Sequence, residues 1–263
     1  MHGPLTSAEI AVLDRLPAIR RARGYRLYAA DGNRWLDCWC DGGRALLGHD
    51  PKGLGRRLKN EIDRGLHAPY PNPWTDRLAK ALRRLFPGYR TLRFYAGYER
   101  AALALELGEA PTDPLDEPPG TPRVDGALWG RPLLPEHPAA DILMPILPLP
   151  GAAVQPVLVR EDDADLPPSD PLSPVVLAGL TRVCAVLNVG FVTNPGQSTD
   201  IWERRGPYMR YRGAADAYER LRDAMMDRRI LIAPSPGRPS IRPAELSPRE
   251  EALLDGVRES RGE

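Results

Sequence analysis

Residues 25–39 read YRLYAADGNRWLDCW, two alternating apolar segments on either side of Asp31-Gly32-Asn33. Period-2 alternation suits a half-buried strand, and the Asp-Gly pair supplies the positive φ that a tight connection between twisted strands requires. The segment therefore predicts a local two-strand hairpin and excludes a purely helical fold. A second turn is expected at Asp41-Gly42-Gly43.

Upstream, Ile10, Leu13, Leu16 and Ile19 recur at helical spacing after Ser7, a candidate cap, so residues 4–22 are expected to hold a helix. Residues 52–65 and 75–86 also read as helices. In the second, Leu78, Leu82 and Leu85 share one face opposite Arg77, Lys80 and Arg84, a solvated basic face. Residues 91–95 form a strand candidate that enters Gly97, and 99–107 are helical in composition. Between 111 and 156 the chain is dense in proline, which removes ladder donors. This stretch is expected to be an ordered, irregular crossover unable to build a parallel sheet, anchored by residues 142–149. Order returns with an apolar helix at 172–187, with Ser169 or Asp170 as its cap. A strand at 207–212, a helix at 215–228 and short strands at 230–233 and 240–242 follow. Ser247-Pro248-Arg249-Glu250 combines an N-cap, a first-turn proline and a capping-box glutamate, and predicts a last helix.

At 263 residues, 42% hydrophobic and 27% charged, the chain can bury a core, and no apolar run reaches membrane-spanning length. No secretory signal is read at the N-terminus, so a cytoplasmic location is expected. A net charge of +1 gives no electrostatic reason for a nucleic-acid partner. The three cysteines, Cys38, Cys40 and Cys184, suit a reducing compartment. Cys38 and Cys40 share a face if they lie on a strand, which favours packing over a metal pair, and no Cys/His set has zinc spacing. Of the 36 Lys and Arg residues only three are lysines, Lys52, Lys59 and Lys80.

The sequence Gly24-Tyr25-Arg26-Leu27-Tyr28 through Asp31-Gly32-Asn33-Arg34-Trp35-Leu36-Asp37, followed by Leu47-Gly48-His49-Asp50-Pro51, resembles the start of the class III pyridoxal-phosphate-dependent aminotransferases. That group includes the glutamate-1-semialdehyde aminomutases. Phe86-Pro87-Gly88 and then Arg93-Phe94-Tyr95-Ala96-Gly97-Tyr98-Glu99 resemble the family's segment that holds the cofactor phosphate. Residues from 171 onward resemble its small domain. The resemblance implies an α/β fold of the aminotransferase type (fold type I). Residues 1–70 and 171–263 would form the small domain, and 71–170 a reduced remnant of the large domain with the proline-rich crossover.

The resemblance also identifies what is missing. In the family, the region after the phosphate-binding helix supplies a ring to stack on the cofactor, an Asp for its pyridine nitrogen and the Schiff-base Lys. Here about forty-five proline-rich residues occupy that place, and no lysine follows Lys80. Arginine cannot substitute, because its pKa leaves no neutral nitrogen to condense with an aldehyde. Asp116-Glu117 precedes Pro118-Pro119 and cannot lie on a buried strand. No catalytic residue is therefore assigned. Gly97, Tyr98 and Glu99 are candidates for a phosphate site, though Ala96 lacks a hydroxyl and Tyr98 brings a large ring. Arg242 and Trp39 are candidates for substrate binding, with a solvated side chain as the plain alternative for Arg242.

Three functional classes follow. One is a partner-binding or regulatory paralogue, as a homodimer or with a related aminotransferase subunit, because removal of the sheet core exposes edges that something must cover. Another is a small-molecule or phosphate binder that retains part of the pocket, with pyridoxal phosphate held without a Schiff base. The third is a different enzyme drawn from His49, His67, His137, Glu99, Asp37 and Cys184, none at a recognised spacing. His49 and His67 have the structural alternatives of capping the next helix and lying in a loop.

Overall fold

In the computed structural model, which describes residues 5–163, 165–190 and 198–255, the hairpin forms as its sequence predicts. Strands β2 (Arg26–Ala29) and β3 (Arg34–Asp37) pair antiparallel, with Arg26 opposite Leu36 and Tyr28 opposite Arg34. Asp31 holds the turn by accepting from Asn33 N–H at 2.9 Å. The chain divides into two units, Gly3–Asp50 with Val192–Glu263 and Pro51–Phe191.

In the first unit, helix α1 covers only Ser7–Leu13. Its cap is Thr6 rather than Ser7, in a capping box closed by Glu9. Ile19 opens strand β1 (Ile19–Arg23), so helical spacing alone misassigned residues 14–22. A β-bulge lets this exposed, arginine-rich strand pair with β2 at the sheet margin. The sheet runs β1-β2-β3-β10, with β10 (Ile230–Leu231) parallel to β3. Its core gathers Leu27, Ala29, Trp35, Trp39, Met226, Leu231 and Ala233. A second sheet orders β11 (Ser240–Ile241), β9 (Tyr208–Tyr211) and β8 (Trp202–Arg205). Helices α6 (Ala215–Asp227) and α7 (Pro248–Asp255) complete the unit. The capping box before α7 is present, with Glu250 N–H on Ser247 Oγ at 3.3 Å and Ser247 N–H on Glu250 Oε2 at 2.8 Å.

The second unit contains α2 (Leu54–Asp63), α3 (Trp74–Leu85), β4 (Thr91–Tyr95), α4 (Tyr98–Ala104) and α5 (Pro174–Asn188). Helix α5 packs with α3 through Leu177, Leu180 and Cys184 against Leu78 and Leu82. Full burial of Leu78 and Leu82 is worth roughly 2 kcal/mol each. Arg182 of α5 also donates to Lys52 O at 2.6 and 3.0 Å. These contacts group residues 51–70 and 171–190 with the second unit, whereas the resemblance had grouped them with the small domain.

The proline-rich crossover departs most from expectation. It holds β5 (Ala127–Gly130), β6 (Ile142–Pro145) and β7 (Gln155–Val159) in a sheet ordered β4-β7-β6-β5, and β5 and β6 are parallel. Proline is tolerated because of where it falls. Pro145 is the last residue of β6. Pro156 pairs with Phe94, whose own N–H and C=O turn outward to Ser169 Oγ and Asp170 N–H, so the ladder asks no donor of it there. Pairing of β7 with β6 covers only Val159 and Leu158, beyond Pro156. At the other margin, Thr112 N–H donates to Ala127 O and Trp129 N–H to Thr112 O. Residues of the crossover and of 169–170 thus cover both outer strands.

Candidate functional site

Strand β4 runs into Ala96, and Gly97 opens α4 with φ 98° and ψ 174°, a backbone region essentially restricted to glycine. The three residues singled out for a phosphate, Gly97, Tyr98 and Glu99, lie together at this turn. Carboxylates also occupy it. Asp170 Oδ2 accepts from Ala96 N–H at 2.8 Å, and Arg100 Nε lies 3.3 Å from its other oxygen. Glu99 Oε2 would lie 3.7 Å from a Cβ placed on Gly97, so a second acid folds back over the turn. Tyr98 sets its ring against Trp129, with centroids 5.4 Å apart. Asp170 thus meets the Ala96 N–H and the Arg100 charge at this turn, and an anion placed there approaches a carboxylate.

Ser169 and Asp170 were expected to cap α5. Its cap is Ser173, which makes no side-chain hydrogen bond, and both residues bind the β4 margin instead. Helix α4 stops at Ala104, short of the expected 107, and Glu106 takes a positive φ.

Arg242 lies in the first unit and is buried, with 2% of its side chain exposed, so the solvated alternative is excluded. It follows β11 directly. Its guanidinium meets α7, with Nη2 bonded to Glu251 and Nη1 at 3.4 Å from Asp255 Oδ1. Asp255 also binds Nη2 of Arg204, whose side chain is 3% exposed. Leu254 is fully buried, and its carbonyl accepts from Trp202 Nε1 at 3.2 Å. The arrangement is two buried guanidiniums spanned by two carboxylates one helical turn apart. Arg204, Glu251 and Asp255 were not picked out from sequence, although an i,i+4 acid pair near an arginine-rich strand is a legible signal.

Trp39 is buried in the apolar cluster around Trp35 and Met226, which gives its ring a packing role. Asp37 and His49 come together, with His49 Nε2 2.7 Å from Asp37 Oδ2. Asp37 Oδ1 also accepts from the N–H groups of Trp39 and Cys40. His49 therefore ties the hairpin to the following turn and does not cap α2, whose N-cap is Gly53. Cys38 and Cys40 lie beyond the end of β3, so they share no strand face. Both thiols are fully buried, and burial pushes them well above the ordinary range, helped by the charge of Asp37. Cys184 is likewise buried and pushed up to about 12 by desolvation. His67 is exposed in a loop, and His137 Nε2 accepts from Arg131 N–H at 3.0 Å. Among the described residues no group of three or more His, Cys, Asp or Glu is placed to hold a metal, and no helix is long and apolar enough to cross a membrane.

No family model matches the chain. An uncharacterised protein of Treponema pallidum is 30% identical over 194 residues, covering 71% of this chain and 59% of that one. Glutamate-1-semialdehyde 2,1-aminomutase of Thermus thermophilus is 34% identical over 98 residues, covering 37% of this chain and 23% of the enzyme. The chain thus spans less than two thirds of the curated relatives it matches. Ornithine aminotransferase of Toxoplasma gondii superposes with a TM-score of 0.64 at 13% identity, covering 95% of this chain and 94% of that one, which establishes a shared fold.

Proposed function

We propose, from the premise that this chain is a relative of the class III pyridoxal-phosphate-dependent aminotransferases and carries their fold, that it acts as a partner-binding or regulatory protein and not as a transaminase. The observation that carries this reading is the Asp170 carboxylate on the Ala96 amide. Pyridoxal phosphate supplies an electron sink when bound. The residues here do not fit it. Asp170 occupies the turn that would receive its phosphate, and Tyr98 commits its ring to Trp129. No lysine follows Lys80, so the amine that would anchor the aldehyde has no counterpart in the order the family uses.

A homodimer, or pairing with a related aminotransferase subunit, is the form of partner the resemblance suggests. The covered sheet margins make a shared sheet edge the least suitable contact, and favour a helical or loop surface. The test is a titration of the purified protein with pyridoxal phosphate, followed by absorbance and thermal shift, with borohydride reduction as control and light scattering for mass. The reading expects no saturable spectral change and no trapped adduct. A borohydride-trapped pyridoxyl group would overturn it, and a monodisperse monomer would count against the dimer.

A second reading, binding of a small anion through Arg242, is favoured by one observation. Arg204 Nε, buried beside it, has no hydrogen-bond partner among the described residues.

A further inference from the structure

We infer that the cleft between α2 and α5 is a binding site for a small phosphorylated molecule, held by the guanidiniums of Arg56, Arg57 and Arg182. The cleft has a volume of about 210 Å³ and is lined by these three with Gly53 and Asn60, and no carboxylate lines it among the described residues. Among those residues the three arginines have one ion-pair partner, Glu61, whose Oε1 lies 3.9 Å from Arg57 Nη1. Glu61 is buried and already accepts from Arg64 Nη1 at 3.2 Å and Trp74 Nε1 at 3.1 Å. Three like charges around one opening repel one another, and an anion between them removes that cost. None of the lining residues belongs to the turn at Gly97 or to the buried arginines beside α7.

Two of the guanidiniums are fastened in place. Arg182 donates Nε and Nη2 to Lys52 O at 3.0 and 2.6 Å. It can lie against the start of α2 because residue 53 is glycine. A Cβ there would stand 3.0 Å from Nη2 and 3.1 Å from Nε, and the φ of 82° itself favours glycine. Arg57 stacks on the Trp74 ring, with Cζ 5.1 Å from its centroid. Both charges are thus positioned before a ligand arrives, which lowers the ordering cost of binding. The start of α2 adds to the same field, since it has no side-chain cap and no acid in its first turn. The ligand class follows from the donors. One guanidinium fork can satisfy both oxygens of a carboxylate, so three forks call for more acceptors than a carboxylate has. A phosphate group brings three acceptor oxygens and a charge of about −1.5 to −2 at pH 7. The cleft is several times the roughly 30 Å³ that one water takes up, so it has room for a substituent beyond the phosphate.

Pyrophosphate, with sulfate as the control anion, is titrated into the full chain at constant ionic strength and followed by calorimetry and thermal shift. Saturable pyrophosphate binding is expected, with sulfate at least about tenfold weaker. Arg56→Gln is the decisive variant, because this side chain is exposed and has no ion pair among the described residues. It should weaken pyrophosphate about tenfold and leave the melting temperature of the unliganded chain unchanged. Arg182→Lys keeps the charge but loses the fork, and should weaken binding to a similar degree. Should that change loosen the fold through the lost Lys52 contact, Arg56→Gln decides alone. Arg84→Gln, on the basic face of α3, should bind pyrophosphate as wild type does. Unchanged affinity in Arg56→Gln, or an equal loss in Arg84→Gln, would put the binding elsewhere and overturn the site. Sulfate binding as tightly as pyrophosphate would overturn the phosphate class, and no saturable binding of either would overturn the inference whole.

Discussion

Glu9 and Arg238 form a buried ion pair, with Nε 2.6 Å from Oε1 and Nη2 3.0 Å from Oε2, that pins α1 to the loop before β11. Burial alone would raise the Glu9 carboxyl. The hydrogen bonds from Arg238, Ser235 and Thr6 outweigh that effect and hold it at about 2, below its ordinary 4.5. A carboxyl depressed in the folded state contributes stability that is fully present above the unfolded value and lost as pH falls through the folded one. Wild type should therefore lose this contribution as pH is lowered from about 4.5 toward 2, whereas Glu9→Gln should show less of that acid sensitivity. At pH 7 the variant should be destabilised by about 3 kcal/mol, the cost of leaving a buried guanidinium without its charge partner. Urea unfolding across the pH series checks both.

The second unit contains its own buried pair. Arg131 Nε donates to Asp113 Oδ1 at 2.7 Å, and Asp113 also accepts from Leu115 N–H. Although burial opposes it, the Arg131 charge holds the Asp113 carboxyl well below the carboxylate range. Asp113→Ala should cost roughly 3–5 kcal/mol by removing one partner of a buried ion pair. Replacing both partners, as Asp113→Leu with Arg131→Met, should cost markedly less than that single change. Equal losses in the two chains would mean the pair acts through geometry and not through charge.

Gly97 should tolerate no side chain, for conformational and not steric reasons. The nearest atom to a Cβ added there is Glu99 Oε2 at 3.7 Å, an ordinary contact, but the φ of 98° excludes other residues. We expect Gly97→Ala to lower stability by about 1–3 kcal/mol. Gly55→Ala, on α2 with nothing within 4 Å, should be neutral or stabilising by about 0.4–1 kcal/mol. Thermal denaturation of the two variants side by side tests the distinction.

Gly130 presents the opposite case. A Cβ at this position would stand 3.1 Å from Pro145 Cα and 3.2 Å from the Leu143 side chain, so the parallel β5–β6 pair must spread to admit it. Gly130→Ala is expected to cost about 1–3 kcal/mol, with increased amide exchange confined to residues 127–130 and 142–145. An unchanged exchange pattern would refute close packing at that pair.

Elements governed by local chemistry were legible. The Asp31-Gly32-Asn33 turn, the leucine stripe of α3 and the Ser247 capping box all form where their sequences place them, because each is decided within a few residues. Three features were hidden for a common reason, which is that distant residues decide them. Nothing near Pro145 or Pro156 announces that a ladder will ask no N–H of them. Nothing around Asp170 says that it will serve a turn seventy-four positions earlier. Arg242 was left between a substrate-binding and a solvated side chain, because its carboxylate partners belong to the last helix. The helical spacing of Ile10 to Ile19 failed in the other direction, since β1 recruits Ile19 through pairing with Ala29.

The covered margins of the β4-β7-β6-β5 sheet bear on how this protein is lost as well as how it is held. Phe94 spends its outward N–H and C=O on Ser169 and Asp170, and Thr112 closes the far side. Among the described residues these contacts take up the outward groups at Phe94 and beside Leu128, so native molecules offer a neighbour less strand template from this sheet. Fibre growth or gelation through those positions must wait for the chain to open, so its onset on storage should track the unfolding rate and respond to anything that slows opening.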